Sequence, residues 1–535
     1  VQLLSDLGAH LSGIPVDGLT ASQDDVILVD AGDNFSGGGA PFYYNFVDTT
    51  SAHLYPRLAA YMGYDAVVAG HSDFEAGHRV YDRVAREMRK AGVPFLAGNA
   101  VSERTGKGYL PAYSIVRKGG VKVAVLGYTN AANASLMDAS CVSGISFKSL
   151  LPLVQEDVDK VRSKEKPQVV IVVAHTSMGK GDGQNLERQG LDLFNSLKGV
   201  DVLVTGHDHS TKVLKTDSTV LLDCGRAGQY ACLADIKLVV RGGKVISRSL
   251  SGEVESFGSE NYDTAMEEAF KSDYEKVRDF NASHVGEVKK DLVSREFYYR
   301  QCDYMNFLHA LAFSAWPVDI SLSATLLIDG MVPAGVVRYQ DIRKIYPYDN
   351  KLIVLRLTGA EILRYLEASY DAWINTVPGP AEGSHVLRIT QTKDYATGGL
   401  KWKLAKSPAN FDSAAGIRYT VDVTKPYGSR VTVSGMADGS PFEMDKDYSV
   451  AITSYRSTGS GGLMKAAGLM DARSVEDRII YRGPEFRTIL YRYLKKHGSI
   501  DPAVVGDPNV VGSWRFVPDF APEAIKADVE LIYGK

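Results

Sequence analysis

Four histidines and one aspartate stand where short apolar runs stop. His175 closes Val169-Val170-Ile171-Val172-Val173-Ala174, and His207 and His209 follow Val202-Leu203-Val204-Thr205-Gly206. His71 follows Ala66-Val67-Val68-Ala69-Gly70, and Asp33 ends Val26-Ile27-Leu28-Val29-Asp30-Ala31-Gly32. The chain holds only 11 histidines in 535 residues, so this placement is selective. One strand-end histidine is ordinarily a hydrogen-bonded surface residue, but four apolar runs that each stop at a donor argue for a metal site. A carboxylate among imidazoles, with no thiolate placed to close the site, suits Zn²⁺, Mn²⁺ or Fe. Asp6 is a further candidate ligand. Two such ions, ~3.5–4 Å apart, polarise a phosphoryl oxygen and generate hydroxide near neutral pH. In Gly206-His207-Asp208-His209, the two histidines sit one residue apart on a turn, so each is able to face a different ion.

Donors placed this way need a sheet that presents them along one edge. Open α/β sheets keep their sites beyond the carboxyl ends of the strands. Residues 1–255 have the matching texture. Apolar runs at 26–30, 66–69, 94–97, 121–127, 168–174 and 201–205 alternate with helical patterns at 51–62, 78–91, 149–164 and 185–197. That alternation predicts a layered β-α-β domain. Hairpin-like strands follow at 218–224, 230–240 and 244–250.

Residues 262–281 are polar, with Met266, Phe270, Tyr274 and Val277 at helical spacing, as in a connecting helix. From about 290 the texture changes to mixed α and β. Helices are expected at 303–315 and 359–370, strands at 417–423, 430–434 and 448–454, and a final helix at 484–496.

The length favours several domains over one core. With 60 Lys+Arg against 64 Asp+Glu, the net charge of −4 gives no support for a nucleic-acid partner. No apolar run approaches the ~20 residues that span a bilayer. The four cysteines have no CxxC spacing. Cys224 and Cys232 flank a Gly-Arg-Ala-Gly turn and either pair across a hairpin or remain two buried free thiols. The first residues show no charged n-region or long apolar h-region, so no targeting segment is visible.

Gly32-Asp33-Asn34 with Gly37, Gly70-His71-Ser72-Asp73-Phe74-Glu75 with Gly77, Val173-Ala174-His175 and Gly206-His207-Asp208-His209 resemble the ordered motifs of calcineurin-like metallophosphoesterases. The chain is most similar to the 5'-nucleotidase, 2',3'-cyclic phosphodiesterase and nucleotide-sugar hydrolase group. Tyr346-Pro347-Tyr348-Asp349-Asn350, Leu357-Thr358-Gly359, Phe411 to Tyr419 and Tyr455 to Gly462 resemble that group's C-terminal domain.

The resemblance implies a four-layer α/β/β/α metallophosphoesterase domain at 1–255, a linker helix at 256–290, and a C-terminal α/β 5'-nucleotidase-type domain at 291–535. It implies a hydrolase of nucleotides or nucleotide-like esters with one or two divalent ions and an extracytoplasmic location. The implied metal ligands are Asp6, Asp33, His71, His175, His207 and His209. Catalytic roles fall to Asp33, Ser72 and Asp73, and substrate contacts to Asn99, Phe411 and Leu463.

The chain also departs from the family pattern. Ser5-Asp6-Leu7-Gly8 keeps the first motif's aspartate but places Gly8 where its histidine falls, with His10 two residues on. Gly70-His71-Ser72-Asp73 has His71 at the metal-binding asparagine and Ser72 at the catalytic histidine. One ion site is then complete with Asp33, His71, His175 and His207, while the other keeps Asp6, Asp33 and His209. Losing a general acid typically costs ~10²–10⁴ in rate. These changes raise an alternative reading, a catalytically impaired relative that binds nucleotide, phosphate or metal. In the second domain, Ser321 to Ile328 replaces a Gly-rich arginine loop. Phe411 matches the first base-stacking aromatic, and Leu463 stands at the second, where a stacked base gains ~1–3 kcal/mol.

Overall fold

A computed structural model of the chain describes Pro15–Val16, Leu19–Thr20 and residues 26–534, apart from 243, 257–262, 380–382 and 394–398. The expectations for Asp6, Gly8 and His10 lie outside the described residues. Two compact units divide the chain, Val1–Phe280 and Asn281–Lys535.

In the first unit, β1 (Val29–Asp30), β2 (Ala66–Val68) and β3 (Phe95–Leu96) form a small parallel sheet in the order β1-β2-β3. The larger sheet contains β4 (Tyr113–Lys118), β5 (Val121–Tyr128), β6 (Val169–Ala174), β7 (Val202–Thr205), β8 (Thr211–Lys215) and β9 (Val220–Cys224), in the order β8-β9-β7-β6-β5-β4. Its central strands β5, β6, β7 and β9 are parallel, with β4 and β8 antiparallel at the edges.

The layering follows from strand period two. Odd-numbered residues of β5 and β6 (Val123, Val125, Val169, Ile171, Val173) share an apolar core with Ala66 and Val68 of β2 and Leu96 of β3. The opposite faces, Ala124, Leu126, Val170, Val172 and Ala174, pack with Leu150, Val154, Val158 and Val161. Those four lie on the helix Leu150–Glu165, at a spacing that forms one face. Val67, Phe95 and Ala97 turn instead toward Val80, Tyr81, Val84 and Met88 of the helix His78–Ala91. Gly92, with φ 77, ends that helix in the left-handed conformation glycine adopts without strain. Both strand faces being apolar is what a sheet buried on both sides requires. The order helix, sheet, sheet, helix is the expected α/β/β/α stack.

A long hairpin, β10 (Tyr230–Arg241) with β11 (Lys244–Ser256), lays Cys232, Ala234, Ile236 and Leu238 against the inter-sheet core. Cys224 and Cys232 are free, half-buried thiols.

The helix Thr264–Ala282 packs as part of the first unit. Met266 and Phe270 close a core with Leu58, and Asp273 pairs with Arg57 Nη1 at 2.7 Å. The unit boundary therefore falls near the end of this helix. Tyr274, expected on the apolar stripe, is exposed, and the buried Asp273 occupies the face beside it.

In the second unit, a mixed five-stranded sheet orders β14-β12-β15-β13-β16, from β12 (Ile320–Ala324), β13 (Lys351–Thr358), β14 (Asp412–Ala415), β15 (Asp447–Thr453) and β16 (Ile479–Glu485). The helix Gly359–Trp373 begins with a capping box. Glu361 N donates to Thr358 Oγ1 at 3.2 Å, and Thr358 N donates to Glu361 Oε2 at 2.8 Å. The helix expected at 484–496 forms as Phe486–His497 but is not the last, because a strand at Gly512–Val517 and a helix at Phe520–Tyr533 follow it. The Pro-rich approach to that helix hid its periodicity.

Candidate metal centre

Strands β6 and β7 run parallel with Ala174 opposite Thr205, so His175 and the Gly206-His207 turn leave the same sheet edge side by side. His71 opens the short helix His71–Glu75 just beyond β2, and Asp33 lies just beyond β1. Among the described residues, Asp33, His71, His175 and His207 form one group whose ligand atoms all lie within 4.8 Å of one another. His71 Nδ1 is at its centre, 2.8 Å from Asp33 Oδ2, 3.1 Å from His175 Nε2 and 3.2 Å from His207 Nδ1. His175 Nε2 is 3.2 Å from Asp33 Oδ2.

The turns that deliver these donors are strained or close-packed. Asp33 has φ 68 and His207 φ 89, both in the left-handed region that costs a non-glycine residue energy and clusters at functional sites. Gly32, at φ 96, passes so close to Gly70 that a Cβ would stand 2.4 Å from Gly70 N. A Cβ on Gly70 would stand 2.2 Å from Asp33 Oδ1.

Asp73 secures this crossing. Its Oδ2 accepts the N–H groups of Gly70 (2.7 Å) and Asp33 (2.9 Å), and its Oδ1 those of Asn34 (2.8 Å) and Phe35 (3.0 Å). Burial and the Asp33 charge push its carboxyl up to about 7 against those donors. With 1% exposure and both oxygens committed, Asp73 organises the loop and is not open to a substrate, contrary to the catalytic expectation.

Burial works to raise Asp33, but the His175 and His71 imidazoles outweigh it and hold the carboxyl well below the usual range. Burial likewise works to lower His175, and the Asp33 charge overcomes it, raising the imidazole to about 9. Burial dominates at His71 and lowers it.

The donor set fits a divalent transition ion. Two pairs of ring nitrogens face each other at 3.1 and 3.2 Å beside a carboxylate, a packing of lone pairs that a shared proton or a cation must relieve.

His209 is exposed and left-handed (φ 57), and it stands outside the four-residue group. Ser72 is buried next to His71, and its backbone N–H donates to Asp33 Oδ1 at 2.8 Å. Asn99 is fully buried. Its amide exchanges bonds with Thr129 N (2.9 Å) and Thr129 O (3.0 Å), which leaves no free face for a substrate.

In the second unit, Arg456 ties together the loops that carry Phe411 and Leu463. Nη2 donates to Ala409 O at 2.7 Å, Nη1 to Asn410 Oδ1 at 3.3 Å and to Ser460 O, and Nε to Asp412 Oδ2 at 3.1 Å. The two loops meet, but the Phe411 ring is fully buried and stacked on Trp373 at 5.4 Å. No ring face is left for a base, and Leu463 is equally buried. The expected stacking pair is core packing in this structure.

Sequence reasoning missed Glu187, whose Oε1 lies 2.9 Å from His207 Nε2. The helical pattern expected over 185–197 forms only as Gly190–Ser196, which leaves Glu187 in a polar loop where the sequence carries no signal for its role.

Residues 3–211 match the family model of the calcineurin-like phosphoesterases, and residues 284–468 match that of the 5'-nucleotidase C-terminal domain. The chain is 22% identical over 543 residues to the trifunctional nucleotide phosphoesterase protein YfkN of Bacillus subtilis, covering 89% of this chain but 35% of that relative. It therefore spans about a third of that protein's length. A 5'-nucleotidase of Vibrio vulnificus is 21% identical over 486 residues, covering 82% of this chain and 78% of the relative. Among solved structures, the NAD nucleotidase of Haemophilus influenzae shares the fold at TM-score 0.59 and 13% identity, over 96% of this chain and 93% of that one.

Proposed function

We propose that this chain, a calcineurin-like phosphoesterase with a 5'-nucleotidase C-terminal domain, is a metal-dependent hydrolase of nucleotides or nucleotide-like phosphoesters. The observation that carries the reading is the convergence of Asp33, His71, His175 and His207 within 4.8 Å. These four are the ligands of one ion, while Asp6 and His209 are the remaining candidates for a second. Zn²⁺, Mn²⁺ or Fe suits the set. Relatives named 5'-nucleotidase and 2',3'-cyclic-nucleotide 2'-phosphodiesterase/3'-nucleotidase support a nucleotide substrate.

When bound, an ion here supplies Lewis acidity and a water acidified toward neutral pH. The chain's own residues do the rest. Asp33 stays anionic beside its imidazoles, and Asp73 and the Gly32–Gly70 crossing hold it in place. Ser72 offers a neutral hydroxyl where an imidazolium is expected, so it cannot protonate a departing alkoxide. The site should therefore favour substrates whose leaving group needs no proton, such as phosphoanhydrides and aryl phosphates, over simple 5'-phosphate esters.

Among the described residues no helix is long and apolar enough to cross a membrane. The extracytoplasmic location implied by the family remains part of the proposal, to be checked by fractionating the source cells.

The test is metal content by plasma mass spectrometry, with phosphate release from nucleoside mono- and diphosphates, and ring opening of cyclic nucleotides followed by chromatography, in Mn²⁺ or Zn²⁺. Bound metal with turnover is expected. A protein that retains no ion and releases no phosphate sinks the reading.

A further inference from the structure

Glu187 belongs to the excursion between β6 and the helix Gly190–Ser196, and the fold returns it to the metal-site edge. Its carbonyl is held by Ser177 N at 3.3 Å, Thr176 Oγ1 at 2.9 Å and the buried Asn130 Nδ2 at 3.1 Å. Gln189 N closes the same loop on Thr176 Oγ1 at 2.9 Å. These bonds fix the Glu187 backbone next to His175, and its side chain reaches His207.

His207 needs such an anchor. It lies on a left-handed turn beyond β7, outside any regular element that would set its ring. A neutral imidazole carries its proton on one nitrogen, and a carboxylate only accepts. The Glu187 contact therefore places the proton on Nε2 and leaves the Nδ1 lone pair facing His71 Nδ1 and the group around it. His175 shows the same logic with the nitrogens exchanged. Its Nδ1 donates to Ala31 O at 2.7 Å, and Nε2 faces the group. The difference is charge. A carbonyl orients a ring and raises the basicity of the opposite nitrogen a little, whereas a carboxylate, being charged, raises it more.

We propose that Glu187 is a positioning residue that sets the His207 tautomer and strengthens it as a metal ligand. The inference rests on the metal reading of the Asp33, His71, His175 and His207 group.

The test uses the full chain with Glu187→Ala and Glu187→Gln. Mn²⁺ affinity is read by calorimetry. The His207 ring nitrogens are read by long-range ¹H–¹⁵N NMR on metal-free protein, with His207→Ala giving the assignment. Glu187→Ala should weaken Mn²⁺ binding about 10–100-fold, as loss of an outer partner of a ligating histidine does. Glu187→Gln keeps an acceptor without charge and should lose less. In metal-free protein His207 should carry its proton on Nε2 and lose that preference in Glu187→Ala. The metal-free melting temperature should hold, since the Glu187 side chain is 31% exposed. Wild-type affinity in Glu187→Ala, or an unchanged His207 tautomer, overturns the proposal. A wild-type chain that takes up no Mn²⁺ overturns the metal reading instead, while the NMR arm still decides whether Glu187 sets the tautomer.

Discussion

His175 Nδ1 donates to the carbonyl oxygen of Ala31 at 2.7 Å, joining the end of β6 to the turn that delivers Asp33. One hydrogen bond thus links a histidine from the large sheet to the loop of the small sheet that carries Asp33. It also fixes Nε2 as the nitrogen facing the site.

Removing that imidazole takes away both a donor and the link. His175→Ala should lower Mn²⁺ affinity by more than about 100-fold, beyond the usual effect of an outer partner, and phosphate release should fall with it. Calorimetry and a phosphate assay on the same preparation check this. Affinity within a few-fold of wild type would mean that His175 is no ligand.

Gly70→Ala tests the close crossing. The backbone at Gly70 is unstrained, so the effect is steric, a methyl 2.2 Å from Asp33 Oδ1. Asp33 must move, and metal affinity should fall at least about tenfold, ~1.4 kcal/mol. Calorimetry of this variant beside wild type decides it, and undiminished binding would show that Asp33 does not need its present position.

Metal uptake should release a proton. The Asp33 charge overcomes burial and raises His175 to about 9, so below that pH the imidazolium must deprotonate before it can ligate. Affinity should rise with pH toward 9 and weaken below it, up to about tenfold per unit for one proton. Calorimetry in two buffers of different ionisation enthalpy measures the protons released, and a count of zero contradicts the expectation.

A separate pH dependence belongs to His309, buried between Ser321 Oγ (2.9 Å) and Ser413 Oγ (3.3 Å) in the second unit. Burial lowers it from 6.5 to about 3. Between those values the unfolded chain binds a proton that the folded chain refuses. The stability is intact above pH 6.5 and is lost as pH falls toward 3, by about 1.4 kcal/mol per unit. Urea unfolding followed at several pH values should show a shallower acid dependence in His309→Gln. Identical slopes would assign the acid sensitivity elsewhere. His53, also lowered to about 3 by burial, adds the same sign in the first unit.

The convergence of His71, His175 and His207 was legible because each comes just past the end of a fully buried apolar strand. Val169 to Ala174 admits one structure, a doubly covered strand, and its next residue must emerge at the edge. Glu187 was not legible, because it is reached through a polar loop whose path depends on Thr176, Ser177 and Asn130. Phe411 is open to two readings for a related reason. An aromatic beside a strand suits either a ligand or a core, and the choice depends on whether Trp373 from a distant helix lies across its face. Asp73 lies inside a motif that resembles the family's site, where a catalytic carboxylate and a turn carboxylate look alike in sequence; four backbone N–H groups from two segments converge on it and make it a brace.

By itself the amino-acid order determined the layered first unit, the position of each donor at a strand end, and the change of texture near residue 290. These are local properties, set by the two-residue period of a strand and the stopping point of each apolar run. Only the tertiary structure decided which nitrogen of each imidazole faces inward, which carboxylate joins the histidine group and which braces its loop, and which aromatic is sealed in the core. Those outcomes depend on hydrogen-bond acceptors and ring partners tens to hundreds of residues away, which no local pattern encodes.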